Sequence, residues 1–200
     1  NYPFAETALA WIGNRSQRIS PTEADRRLAD LRMAYPESAT AVLQNLLDSH
    51  DTDRLVSKIF NPDRGFDEGN REQDDPTYNG DKPDEEAYRR ARLTALLQLT
   101  YVGSPMIYYG DEVGIWGSDD PNNRKPMIWD DLPPGDDPEY RIMPDHLDFY
   151  QRAIALRRAS RALRRGDFRT VHLHDDNNTW GFLRTHGDEE VLVALNADVQ

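Results

Sequence analysis

Hydrophobic and polar positions along this chain fall into three successive patterns. Residues 6–44 are spaced as helix with one interruption. Residues 6–12 form a short apolar turn, and Leu28, Leu31 and Met33 follow the start signal Ser20-Pro21-Thr22-Glu23, which puts proline at the first helical position. Two helices are therefore expected before the first strand. Residues 42–47 are a short apolar run with no long polar face, as expected of a strand buried on both sides of a parallel sheet, and the run ends in Asp48-Ser49-His50-Asp51. Ala87, Ala91, Ala95, Leu96 and Leu99 predict a helix over 86–101, stopped by Gly103 and Pro105. A second strand is expected at 106–109, ending in Gly110-Asp111-Glu112. Strand, helix and strand with polar residues after each strand describe a βαβ unit of an α/β protein.

The next helix is expected from Asp145 to about Arg165, with Leu147, Tyr150, Ala153 and Ile154 on its apolar face and Gly166 as its stop. Its later turns carry Arg157, Arg158, Arg161, Arg164 and Arg165, which suit the negative end of the helix dipole and read as a solvated cationic end. After Gly166 the period changes. Residues 168–173, 179–185 and 191–196 are short segments separated by Asp175-Asp176-Asn177-Asn178 and His186-Gly187-Asp188, an antiparallel meander. Between these patterns lie two irregular connections, 61–86 and 117–144. The first holds ten acidic and three basic residues with six glycines and prolines, a loop of a length usually tied to function or mobility.

Composition narrows the function. The 200 residues are 38% hydrophobic and 10% aromatic, enough for a real core in spite of a mean hydropathy of -0.83. A net charge of -12 argues against nucleic acid or an anionic membrane as partner, since both need a basic footprint, and leaves an uncharged or polyhydroxylated substrate open. Without cysteine there is no disulfide framework, thiolate nucleophile or cysteine zinc site. No apolar run approaches the roughly 20 residues of a membrane span, and none resembles a signal peptide. The chain opens on Asn1-Tyr2-Pro3-Phe4, which reads as the tail of something longer.

Candidate chemistry collects at the C-terminal ends of the two strands, the active-site edge of barrels and open α/β sheets. A carboxylate beside an imidazole, as in His50-Asp51, stabilises positive charge developing on a substrate and hydrogen-bonds hydroxyls. Asp111-Glu112 is read as structural, because neighbouring side chains on a strand point to opposite faces. Buried packing is expected for Tyr108 and Tyr109, Trp180 is assigned to the core, and Trp116 is left open between packing and stacking on a sugar face. His146, His172, His174 and His186 are scattered, without metal-ligand grouping beyond one His-x-His. Asp75 to Gly80 with Glu86 fits a calcium loop only in part, since Thr77 holds the third position and no helix precedes it, so no metal or cofactor is assigned.

Three segments carry a family resemblance. Leu46-Leu47-Asp48-Ser49-His50-Asp51-Thr52-Asp53-Arg54 resembles the fourth conserved region of the α-amylase family, glycoside hydrolase family 13, at the end of barrel strand 7. Gly103-Ser104-Pro105-Met106-Ile107-Tyr108-Tyr109-Gly110-Asp111-Glu112-Val113-Gly114 resembles its strand 8 signature. Asp120-Pro121-Asn122-Asn123-Arg124-Lys125-Pro126-Met127-Ile128-Trp129-Asp130 is similar to the segment that follows in cyclomaltodextrinases and neopullulanases. The resemblance implies the C-terminal part of a (β/α)8 TIM barrel over 1–166 and the start of an all-β domain over 167–200. It also implies an α-glucan or maltooligosaccharide substrate, with hydrolysis or transglycosylation at α-glucosidic bonds. Asp51 matches the family's transition-state-stabilising carboxylate, His50 the histidine on the same sugar, and Asp120 and Arg124 a pair gripping the next glucose. The family's nucleophile and general acid match nothing here, so the chain alone is expected to be inactive. The other reading is an amylase-like barrel that binds without catalysis; the joint presence of Asp51, His50, Asp120 and Arg124 weighs for the enzyme.

Overall fold

The computed structural model describes residues 1–132 and 137–198, so part of the 117–144 connection and the last two residues of the 167–200 segment lie outside the described residues. Helix α1 (Tyr2–Ala8) runs on as a π-helical turn, Leu9–Gly13, and α2 (Pro21–Met33) begins where Ser20 accepts a hydrogen bond from the Glu23 N–H. One further turn, α3 (Glu37–Thr40), precedes strand β1.

The expected parallel pairing exists but is short. β1 (Gln44–Asn45) pairs with β2 (Ser104–Pro105), in place of the runs 42–47 and 106–109. Val42 and Gln44 are exposed, so the first run is not covered on both sides. Beyond the ladder, side chains replace strand partners. The Gln98 amide donates to the Asn45 and Met106 carbonyls, and the Arg54 guanidinium donates to Tyr109 O. These carbonyls, of which that of Asn45 belongs to a buried residue, are satisfied without a strand. Between β1 and β2 stand α4 (Leu55–Phe60), which the hydrophobic pattern did not signal, the irregular 61–84 segment, and α5 (Glu85–Thr100), capped by Asp84 through the Ala87 N–H.

The single helix expected over 145–165 is two. α6 (Pro144–Ala159) ends at Ser160, whose extended backbone breaks the helix while its hydroxyl accepts from Leu163 N and caps α7 (Arg161–Arg165). The meander stands as expected: β3 (Asp167–His174), β4 (Thr179–His186) and β5 (Glu189–Asn196) form an antiparallel sheet in the order β3-β4-β5, with a register shift between Thr170 and His172.

One hydrophobic core joins the helices to this sheet. Trp180 and Phe182 of β4 are fully buried with Trp11, Ile12 and Tyr101, and Trp11 meets Trp180 edge to face at 5.4 Å. Trp180 is core, as expected. The indole N–H of Trp11 donates to Asn178 Oδ1 in the β3–β4 turn, so the turn is fixed to the helical part by a buried hydrogen bond. No helix among the described residues is long and apolar enough to cross a membrane.

Candidate functional site

The site is built by a stretch of chain that alternates between inside and outside. After β1, Leu46 and Leu47 are buried, and so are Asp48 and Ser49. Two local hydrogen bonds then fold the backbone back on itself: Ser49 N donates to Thr52 Oγ1 at 3.1 Å, and Asp51 N donates to Ser49 Oγ at 3.1 Å. His50 and Asp51 are extruded at the tip of this turn, with side chains 64% and 60% exposed. Thr52, Asp53 and Arg54 return to the interior.

Arg54 is the post on which the site is mounted. Its side chain is fully buried, and it donates to Asn123 O at 2.9 Å, to Tyr109 O at 2.7 Å and to Asp111 Oδ1 at 3.2 Å. Its backbone N–H donates to Gly117 O at 3.0 Å, and Asn123 in turn donates to Thr52 O at 2.8 Å. Three segments far apart in sequence are thereby held together. Gly117 is needed here, because a Cβ would collide with the Asn122 carbonyl. The segment enters through a cis Asp120–Pro121 bond and turns once as 3-10 helix over Asn122–Arg124.

That turn lays Arg124 across the first loop. Its Nε and a terminal nitrogen donate to His50 O at 3.1 and 2.9 Å, a terminal nitrogen lies 3.9 Å from Asp51 Oδ1, and Nε lies 3.3 Å from Asp120 Oδ1. His50 Nε2 is 3.3 Å from Asp51 Oδ1. The structure thus brings together all four residues singled out in the sequence, at the C-terminal edge of the parallel strands. Exposed ion pairs of this kind contribute about 0–1 kcal/mol each, so the cluster is a minor factor in stability. Its donors and acceptors face solvent, a geometry suited to vicinal hydroxyls.

Beneath it the charges are of another kind. Burial pushes the Asp48 carboxyl up, and burial, the Asp48 charge and the Glu112 charge hold Asp111 well above the usual carboxylate range in spite of Arg54. Two buried carboxyls facing one guanidinium balance their charge when they hold one proton between them. Asp48 Oδ2 also accepts the first N–H of α4, from Leu55 at 2.8 Å. Nearby, burial raises Asp53 to about 6, against the pull of Lys58 and the Tyr78 hydroxyl hydrogen-bonded to it at 3.0 Å. Asp111 is structural, as expected, and its carbonyl is bonded to His146 Nε2 at 3.0 Å; burial lowers this histidine to about 4.

The aromatic expectations need correction. Tyr108 is only half-buried and Tyr109 is 40% exposed, because Arg54 fills the space beneath them and lies 4.6 and 4.9 Å from their ring centroids. Trp116 is buried against Tyr140, with Lys125 Nζ 4.5 Å from its ring centroid, so it packs and offers no open face. Arg157 is likewise not solvated: it donates to the carbonyl of Leu99 in the last turn of α5 and to those of Tyr101 and Gly103 just after it. Sequence reasoning missed Arg54 and Asn123; the one usable signal was an arginine set directly against the apolar pair Leu55-Val56. Among the described residues no group of three or more His, Asp or Glu is placed to hold a metal ion.

No family model matches the chain. It is 34% identical over 196 residues, 98% of its length, to Neopullulanase 2 of Thermoactinomyces vulgaris, and 35% identical over 199 residues to a cyclomaltodextrinase of Bacillus sp. It covers 28% and 29% of those two proteins, so it spans less than a third of the curated relatives it matches. Among solved structures, a cyclomaltodextrinase superposes with a TM-score of 0.74 at 34% identity, covering 98% of this chain and 28% of the other. The cyclic α-maltosyl-(1→6)-maltose hydrolase of Arthrobacter globiformis, in complex with that sugar, superposes with a TM-score of 0.73 at 28% identity, covering 98% and 36%.

Proposed function

We propose, from the premise that this chain is homologous to members of the α-amylase family, glycoside hydrolase family 13, that it forms the C-terminal side of a retaining enzyme acting on α-glucosidic bonds. On this reading residues 1–166 complete a (β/α)8 barrel and residues 167–200 open an all-β domain. The observation that carries the reading is the convergence of His50, Asp51, Asp120 and Arg124 at the strands' C-terminal edge, held by bonds from the buried Arg54.

Each residue then has a task. In a retaining mechanism one carboxylate attacks the anomeric carbon while a carboxylic acid protonates the departing oxygen, the two about 5–5.5 Å apart, and the transition state carries oxocarbenium charge. Asp51 would be a third carboxylate, stabilising that charge while accepting hydrogen bonds from ring hydroxyls. His50 would donate to the same sugar. Asp120 and Arg124 would grip the neighbouring glucose, the guanidinium giving a planar fork of donors and the carboxylate an acceptor. The nucleophile and general acid belong, in this proposal, to the part of the relatives' length that the chain does not span. The ligand is a neutral α-glucan, which the net charge of -12 does not repel.

The test is a panel of substrates given to the full-length protein: maltotriose, a cyclodextrin, pullulan and starch, with a β-linked cello-oligosaccharide as control. Cleavage or transfer at α-linkages with retained anomeric configuration is expected. Inversion, or turnover of the β-linked control alone, contradicts the proposal.

A further inference from the structure

At the opposite end of the parallel strands the charge pattern reverses. Residues Thr40, Ala41, Val102 and Gly103, which lead into β1 and β2, line a cavity of about 390 Å³ together with Arg32, Arg164, Arg165 and Arg184. A second cavity of about 320 Å³ shares Arg164 and Arg165 and adds Arg161 and His186. Most arginines elsewhere in this acidic chain sit in ion pairs. None of these five does: among the described residues no carboxylate forms an ion pair with the guanidinium of Arg32, Arg161, Arg164, Arg165 or Arg184, although Glu37 and Asp167 line the first cavity, Asp25 attracts Arg32, and Glu189 accepts from the backbone N–H of Arg161 at 3.0 Å.

The arrangement is fixed in place. Arg184 is fully buried and each of its three nitrogens donates to a carbonyl, of Asp167, Thr100 and Gly166, while no carboxylate pairs with it directly and Asp167 attracts it from a distance. Burial, with repulsion from Arg157 and Arg32, lowers it to about 10. The Arg32 guanidinium is stacked 4.2 Å from the Phe168 ring centroid and 5.3 Å from that of Tyr101, and one of its terminal nitrogens is buried with no acceptor. Arg164 and Arg165 are exposed at the mouth. Clustered guanidiniums with an unfilled donor present the fork geometry that matches a tetrahedral oxyanion.

We propose that this cavity binds a phosphate-class oxyanion, as inorganic phosphate or as a phosphate monoester, at a site remote from the His50–Asp51 edge. The experiment is calorimetric titration of the full-length protein with inorganic phosphate and with glycerol phosphate, each against sodium chloride at matched ionic strength. Saturable binding of either probe is expected, weakened about tenfold in Arg164→Ala/Arg165→Ala, whose melting temperature without phosphate stays that of the wild type. Binding of the monoester alone identifies an esterified ligand, and binding of both identifies free phosphate as sufficient. Arg152→Ala, an exposed arginine of α6 outside both cavities, should leave the titration unchanged. Heats no different from chloride, or an undiminished titration in the double variant, overturn the proposal. A second variant guards against loss of fold at the mouth: Arg32→Lys keeps the charge but removes the fork, and should weaken phosphate binding with the melting temperature retained.

Discussion

The stretch Asp48–Arg54 contributes to two layers of polar groups, and the layers differ in everything but residue type. His50 and Asp51 stand in solvent with Asp120 and Arg124, in pairs 3.3 to 3.9 Å apart. Asp48, Asp53 and Arg54 are buried with Asp111 and Asn123, and each atom of Arg54 that makes a bond makes it to a different segment. An aspartate–arginine contact in the first layer contributes little to stability, since water competes for both partners. The corresponding contact in the second is costly to break, because it strands a charge in a low dielectric. Burial, set by a turn of two hydrogen bonds at Ser49 and Thr52, decides which aspartates are available to a ligand and which hold the loops in place.

The largest effect should come from the lower layer. Arg54→Ala leaves Asp48 and Asp111 facing each other without their cation and frees the carbonyls of Tyr109 and Asn123. A loss of about 3–5 kcal/mol in unfolding free energy is expected by denaturant titration. A loss under 1 kcal/mol would show that the buried charges are not the support. Next comes Asp51→Asn in the upper layer, which in the full-length protein should lower turnover about 10²–10³-fold through lost transition-state stabilisation.

A smaller effect separates the layers by pH. Asp53 is raised to about 6 in the folded state against about 3.9 in the unfolded chain, so the folded protein holds the proton more tightly. Its contribution to stability is complete below pH 4 and is lost as pH rises through 6. Wild type minus Asp53→Asn, measured by denaturant melts from pH 4 to pH 7, should fall by about 2 kcal/mol over that window. A flat difference would mean that Asp53 is not held protonated. Smallest is Arg124→Ala, expected to raise KM for maltotriose by about tenfold, or about 1.4 kcal/mol, with kcat and melting temperature nearly unchanged. An unchanged KM would remove Arg124 from the sugar grip.

How far the sequence foretold this depends on whether a feature is local. α2 and the meander were legible, because Ser20 with Glu23 and the turns at 175–178 and 186–188 act within a few residues. The extent of the strands was not, since pairing at Gln44 depends on Ser104, sixty residues on, and on Gln98 supplying the bonds beyond it. The break at Ser160 was hidden by an apolar face that continues in phase across it. In the site, His50 and Asp51 were weak on their own and became informative through motif order. That Arg124 would reach back to His50 O across seventy-four residues has no periodic signature. Tyr109 was misjudged for the same reason: an apolar run says that something is covered, and Arg54, invisible to hydropathy, takes the covered place.

The two-layer account meets its most direct test when kcat and melting temperature are read on the same preparations of Asp51→Asn and Arg54→Lys in the full-length protein. The account predicts that Asp51→Asn loses turnover 10²–10³-fold at an unchanged melting temperature, while Arg54→Lys loses melting temperature. Near-normal turnover in Asp51→Asn, or a drop in its melting temperature as large as that of Arg54→Lys, would contradict it.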